Sequence, residues 1–139
     1  MEYGITVRTE VPFPEAVRRV REALAAQGFG VLTEIDVRAT LRDKLGEDME
    51  DYLILGACNP PLAHRALQAE PAVGLLLPCN VVVAERAEGG SRVSFMDPVA
   101  VLDMIDNPDL WPVAAEARER LKRVAEALSA RSAPVHPHP

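Results

Sequence analysis

A strand and a helix meet within the segment LILGACNPPLA, residues 53–63. The residues from 51 to 58 are largely apolar on both alternating faces, which is typical of a strand inside a sheet. The Pro60-Pro61 pair ends this strand. Asn59 is a good helix start, because its side chain can cap free N–H groups while a proline at the first helical position loses no needed donor. The segment therefore predicts a strand over 51–58 and a helix over 60–69.

The chain before this junction alternates strands with helices. Apolar and polar residues alternate from Tyr3 to Val7 and again from Phe29 to Val37, which predicts two strands. Between them, apolar residues recur at spacings of three and four over residues 14–27, and Gly28 supplies a C-terminal stop, so this segment predicts a helix. A short helix is expected over residues 38–45.

The chain after residue 69 continues with a hairpin and a long helix. Residues 81–86 and 92–96 flank the turn Glu88-Gly89-Gly90-Ser91, a pattern that predicts two strands joined as a hairpin. Asn107-Pro108 is a second Asn-Pro start, and the apolar stripe that follows it to Leu128 predicts the longest helix.

This order of elements predicts an α+β fold in two layers, with a mostly antiparallel sheet of about five strands and helices on one face. We expect one domain over residues 1–131 and a mobile tail over 132–139, where prolines alternate with histidines and other residues. Apolar residues assigned to the other sheet face predict a homodimer surface. These residues are Leu32, Leu53, Leu55, Val82 and Ala84.

The charge balance argues against several classes of partner. Fifteen Lys and Arg residues against twenty-one Asp and Glu residues give a formal charge of −6. Such a chain repels phosphate backbones and anionic lipid headgroups, so we expect neither a nucleic acid nor a membrane as partner. The amino terminus lacks the pattern of an export signal, and the longest apolar run, Ala72 to Leu77, is far shorter than the roughly 20 residues that cross a bilayer. We therefore expect a cytoplasmic protein whose cysteines are reduced.

Each of the two cysteines precedes an asparagine at a point where an apolar run meets proline, in Cys58-Asn59 and Cys79-Asn80. If the third and fourth strands run antiparallel, the end of one and the start of the other lie at the same edge of the sheet. Cys58 also stands just before the helix cap, where partial positive charge favours a thiolate. These four residues therefore predict a shared ligand-binding site and leave its chemistry open.

Three further residues are expected at the rim of this pocket. His64 lies one turn into the helix and has the chemistry to join two thiolates around Zn²⁺ or Cu⁺. The spacings Cys-x₅-His and Cys-x₂₀-Cys match no standard zinc pattern, however, so we predict no metal site. Asp36 and Arg38 bracket the end of the second strand and can pair with each other or with a ligand.

Three interpretations of function fit these residues. The first is a small-ligand-binding or sensing module, and the second is an enzyme or redox protein that uses Cys58 as its thiol. In the third, the chain is a structural or interaction dimer whose cysteines fill apolar space and whose asparagines organise the backbone. The sequence contains no Walker loop, GxGxxG, GxSxG or HExxH motif, so it indicates no particular cofactor or reaction.

Three segments together resemble a known family: EIDV at 34–37, ILGACNP at 54–60 and LLLPC at 75–79. They are similar to the family called domain of unknown function 302, which comprises small bacterial and archaeal proteins. The resemblance covers residues 1 to about 130. It implies a compact α+β fold of the kind sometimes grouped with the TATA-binding-protein-like folds, often a dimer, and no established reaction. On this chain the family motif maps onto Cys58, Asn59, Pro60, Pro78 and Cys79.

Overall fold

The computed structural model describes residues 2–132. Its strands are β1 Gly4–Thr9, β2 Gly30–Asp36, β3 Tyr52–Cys58, β4 Cys79–Glu85 and β5 Ser91–Met96. Its α-helices are α1 Phe13–Ala26, α2 Val37–Leu45, α3 Pro60–Ala69, α4 Pro98–Leu102 and α5 Trp111–Ser132, and short 3₁₀ helices cover Pro71–Leu76 and Pro108–Leu110. Apart from its first residue, the tail predicted over 132–139 lies outside the described residues.

The predicted fold class is confirmed. The molecule is an α+β protein with an open, antiparallel, five-stranded sheet in the order β1-β5-β4-β3-β2. The helix α4 and the two 3₁₀ helices were not predicted, because segments of three to six residues are too short to show a helical period. The grouping with TATA-binding-protein-like folds stays a prediction.

Helices α1 and α5 cover one face of the sheet. Leu55 pairs with Val81, and Val81 pairs with Phe95, so these three side chains form one row on that face. Helix α1 packs Leu24 against this core, and α5 packs Leu121. All five side chains are fully buried, and each such burial stabilises the fold by roughly 1.5–3 kcal/mol.

The assignment of Leu53 and Leu55 to a dimer surface is wrong. Both are buried in the core beneath the helices. Val82 and Ala84 do lie on the opposite face, since they alternate with core residues along β4. Alternation alone could not decide between the faces, because both faces of β3 are apolar.

Helix α5 joins two apolar clusters. Its C-terminal half packs Leu121 and Val124 into the core between the helices and the sheet. Its N-terminal half packs Val113 and Ala117 into a second cluster beside the end of the sheet. The other buried members of that cluster come from α3, α4, α5 and the two 3₁₀ helices and are Leu62, Ala66, Val73, Leu102, Leu110 and Ala114. None of the helices within residues 2–132 is long and apolar enough to pass through a lipid bilayer.

We expect the substitution Gly90→Ala to lower the free energy of unfolding by at least about 2 kcal/mol. Gly90 has a φ of +79°, and a Cβ there would come within 2.2 Å of the Thr9 carbonyl oxygen and 2.9 Å of the Glu10 Cα. Both are backbone atoms, so a side-chain movement cannot relieve the clash. Urea denaturation measures the loss. Gly30→Ala is the matched control, because a Cβ at Gly30 meets nothing within 4 Å, and an equal loss in both variants would contradict this account.

Candidate functional site

A cavity of about 340 Å³ lies where the two apolar clusters meet, beside the end of the sheet. Its wall combines residues at the ends of β3, β4 and β5 with residues of α3, α4 and α5. Among the described residues that line it, none carries a charged side chain. The cavity is therefore an apolar environment in which a charge would be poorly solvated.

The two cysteines line this same cavity. Ala57 pairs with Cys79 across β3 and β4, so Cys58 lies next to the residue opposite Cys79. Cys58 is half-buried, whereas Cys79 is only 9% exposed. Both thiols are free. The antiparallel pairing thus brings the two Cys-Asn motifs together at one end of the sheet.

The Cys79 thiol is held in its neutral form. Burial, as the larger cause, and the nearby Cys58 together raise the pKa of Cys79 from its ordinary value of 9.0 to about 11. The thiolate is the form of cysteine that attacks electrophiles. At neutral pH, Cys79 therefore contributes an apolar, weakly hydrogen-bonding surface to the wall, and an uncompensated thiolate is disfavoured there.

Asn59 fixes the part of the wall formed by α3. Its Oδ1 accepts a hydrogen bond from the Leu62 N–H at 3.3 Å, which caps the helix as expected. Its Nδ2 donates to the Gln27 carbonyl at 3.5 Å, just past the end of α1. Arg120 of α5 donates to the same carbonyl at 3.1 Å. Asn59 thus lies where the ends of α1 and α3 approach α5.

Asn80 and His64 do not line the cavity, although both were expected at the site. Asn80 is exposed in β4 opposite Gly56, and alternation turns it to the face opposite its neighbour Cys79. His64 is exposed on α3, whose Leu62 and Ala66 are buried on the side of the cavity. The helical period explains why His64 faces away from residues so near in sequence.

The structure corrects the expected position of Asp36 and Arg38. In the antiparallel pairing of β2 with β3, Asp36 lies opposite Leu53 while Gly30 lies opposite Cys58. Leu53 and Cys58 are five positions apart along β3, which places Asp36 roughly 17 Å from the cavity end of the sheet. Asp36 instead caps α2 by accepting from the Ala39 N–H at 2.9 Å. Arg38 donates to Asp51 at 3.2 Å.

Gly56 gives the cavity part of its shape, and sequence reasoning missed its role. A Cβ at Gly56 would come within 2.2 Å of the Thr33 Oγ1 and 2.8 Å of the Pro78 Cγ. Both neighbours line the cavity, so the absence of a side chain lets them close over the strand. A glycine inside an otherwise apolar strand is a sequence signal for such a close approach.

Sequence reasoning also missed most of the apolar wall. Phe29 comes from the segment before β2, Met96 from the end of β5 and Leu102 from α4. No motif connects these residues, and only the topology brings them together. Within residues 2–132, no three His, Cys, Asp or Glu side chains cluster in a way that could hold a metal ion.

Comparison with known proteins identifies relatives of this chain. Residues 5–128 match the model of a family described as Domain of unknown function DUF302. Among solved structures, the chain is similar to the uncharacterized conserved protein DUF302 from Bacillus stearothermophilus, with 31% sequence identity and a TM-score of 0.85. That alignment covers 92% of this chain and 99% of the other. The comparison with curated proteins finds no match.

We expect Cys79 to lower the stability of the fold in alkaline solution. The thiol titrates at about 11 when folded and near its ordinary pKa of 9.0 when unfolded, so the unfolded chain loses the proton first. The stabilisation is therefore complete below pH 9 and is lost as the pH rises towards 11. The full loss is about 3 kcal/mol, because one pH unit between the two pKa values corresponds to about 1.4 kcal/mol.

Urea denaturation across this pH range measures the effect in the wild type and in Cys79→Val. The valine keeps an apolar side chain and cannot titrate, so the difference between the two proteins isolates Cys79 from the tyrosines. If the valine variant loses stability as steeply as the wild type, Cys79 is not the cause.

Proposed function

The chain belongs to the DUF302 family, whose function is unknown, and we propose from the geometry of its cavity that it binds a small, uncharged, largely apolar molecule. The observation that carries the proposal is a space of about 340 Å³ without a charged side chain among its described lining residues. This volume falls within the roughly 300–1,000 Å³ typical of small-molecule sites. A charged ligand would lose its hydration there without gaining a partner.

The walls would supply the binding energy through apolar contact. Phe29, Leu62, Leu102 and Val113 line the cavity from four different segments. Burial of apolar surface contributes roughly 25 cal/mol per Å², of which part offsets the entropy that the ligand loses on binding. A compact apolar molecule that contacts several walls at once would therefore bind better than an extended one that contacts a single wall.

A few polar groups would orient the ligand. Thr33 contributes a hydroxyl and the two cysteines contribute thiols, whereas the Asn59 amide already contacts Leu62 and Gln27. A ligand with one or two hydrogen-bonding groups would match this set. A reducing compartment such as the cytoplasm would keep both thiols free.

The mouth of the cavity is apolar as well. Leu32 of β2 and Leu67 of α3 line it and are 69% and 43% exposed. Large apolar side chains exposed beside a concave site provide a first contact surface for an apolar ligand. The mouth through which a ligand would enter is therefore apolar, like the interior of the cavity.

Binding is favoured over the alternative of a thiol enzyme. A cysteine nucleophile needs a base or another group that lowers its pKa. The described residues lining the cavity include no histidine, lysine or carboxylate, and His64 faces away. Cys58 lies at the start of α3, yet Pro60 and Pro61 lack the N–H groups that would donate to a thiolate.

We expect the neutral fluorescent probe N-phenylnaphthylamine to bind saturably at one site and Ala63→Phe to weaken that binding at least tenfold. Ala63 is half-buried in the cavity wall, so a phenyl ring there would occupy the space of the ligand. Ala25→Phe is the matched control, since Ala25 is exposed on α1 outside the cavity. Fluorescence titration gives the dissociation constants.

Anilinonaphthalenesulfonate tests the charge of the ligand, because it resembles the neutral probe but carries a sulfonate. It should bind more weakly than the neutral probe. Equal weakening by Ala63→Phe and Ala25→Phe, or no saturable binding to the wild type, would overturn the proposal.

We also propose that the chain forms a homodimer through the sheet face opposite α1 and α5. The middle row of this face runs across all five strands and consists of Thr6, Ser94, Val82, Ile54 and Ile35. The row is uncharged, and Ile35 is 49% exposed. In a two-fold interface the central row meets its own copy, so an uncharged row brings no like charges together.

We expect Ile35→Lys to raise the dimer dissociation constant at least tenfold. The two-fold axis would bring the introduced lysines into one interface, where they repel each other and lose hydration. Leu75→Lys is the control, because Leu75 is highly exposed outside this face. Sedimentation equilibrium measures the mass of each protein, and a monomeric wild type would exclude the proposed dimer.

A further inference from the structure

A second concave space, here called the outer groove, has a volume of about 290 Å³ and adjoins the cavity along α4 and α5. Its described lining residues are Val99, Leu102, Asp103, Trp111, Ala114 and Ala115. Leu102 is the one described residue that lines both the groove and the cavity. The two spaces therefore meet at a leucine that is itself buried.

The helical period of α4 explains why Leu102 lies between the two spaces. Pro98 and Leu102 are four positions apart, share one face of the helix and line the cavity. Val99 and Asp103, each one position later, line the outer groove. The cavity and the groove thus lie against adjacent faces of α4. Leu102 is at the boundary of these faces, because it follows Pro98 by four positions and Val99 by three.

Helix α5 shows the same division between two faces. Val113 lines the cavity, whereas Trp111, Ala114 and Ala115 line the outer groove. Leu102 packs in the same apolar cluster as Val113 and Ala114. Its side chain therefore closes the seam between α4 and α5 at the place where the cavity and the groove adjoin.

We propose that Leu102 limits the length of the ligand by separating the cavity from the outer groove. This inference rests on the proposed binding of a small apolar molecule and specifies the size class of that molecule, which is a compact one that ends at Leu102. A longer chain would have to displace a buried leucine from a close-packed cluster.

Leu102→Ala and Leu62→Ala form a matched pair of variants. Both leucines are 5% exposed, belong to the second apolar cluster and line the cavity, and each substitution removes the same side-chain atoms. Of the two, only Leu102 lines the outer groove, so only Leu102→Ala should open a passage between the two spaces. Circular dichroism checks that both variants fold. If either does not, Leu102→Val and Leu62→Val give the same comparison with a smaller truncation.

Unbranched primary alcohols of increasing length, in competition with N-phenylnaphthylamine, measure the length limit. For the wild type we expect the affinity to rise about fourfold per added CH₂ and to stop rising once the cavity is full. The longest alcohols should bind at least about tenfold more tightly to Leu102→Ala than to Leu62→Ala, the effect of roughly two further CH₂ groups. Equal limits in the two variants, or alcohols that do not compete with the bound probe, would overturn the role of Leu102. A wild type that does not bind the probe saturably would overturn the proposed binding itself, and this inference with it.

Trp111 is the single tryptophan of the chain and lines the outer groove, so its fluorescence reports directly on the passage. A bromine atom quenches tryptophan fluorescence on contact. We expect ω-bromododecanol to quench Trp111 in Leu102→Ala and to leave it unquenched in the wild type and in Leu62→Ala, at equal saturation of the cavity. Equal quenching in all three proteins would mean that the alcohol reaches Trp111 without passing Leu102, and would overturn the inference.

Discussion

The packing of α5 against two separate apolar clusters is the constraint on which the rest of the structure depends. At 22 residues, the helix is about 33 Å long, and its C-terminal half alone contributes to the core above the sheet. Its N-terminal half carries Val113 and Ala117 into the second cluster, where α3, α4 and the 3₁₀ helices pack around it. The cavity lies where the two clusters meet. Val113 and Ala117 of α5 line it.

Much of the fold could be predicted from local sequence signals. The Asn-Pro junction at residue 59 marked the end of a strand and the start of a helix, and both elements end within a residue or two of their expected bounds. Helix α4 could not be found this way, because five residues complete little more than one turn. The sequence also could not show which face of β3 packs against the helices, because Ile54 and Leu55 are both apolar. Only the position of the helices distinguishes the two residues.

The candidate site was predictable only in part. The antiparallel pairing of β3 with β4 brings Cys58 and Cys79 to one cavity, as expected on the condition that these strands are antiparallel. The sequence could not decide that condition, because a helix and a 3₁₀ helix lie between the two strands. Strand pairing also explains why Asp36 lies far from the cavity. Strand β2 runs antiparallel to β3, so the end of β2 lies beside the start of β3, at the other end of the sheet from Cys58. No local sequence signal indicated that Met96 lies at the cavity. Its position at the cavity follows from the pairing of β5 with β4, a contact that depends on the whole topology.

The apolar wall determines which ligands the cavity can accept. Burial raises the pKa of the Cys79 thiol to about 11, so the wall resists a bare thiolate. A cation would lose its water there without gaining a charged partner among the described lining residues. The burial that suppresses nucleophilic chemistry at Cys79 therefore also favours an uncharged ligand.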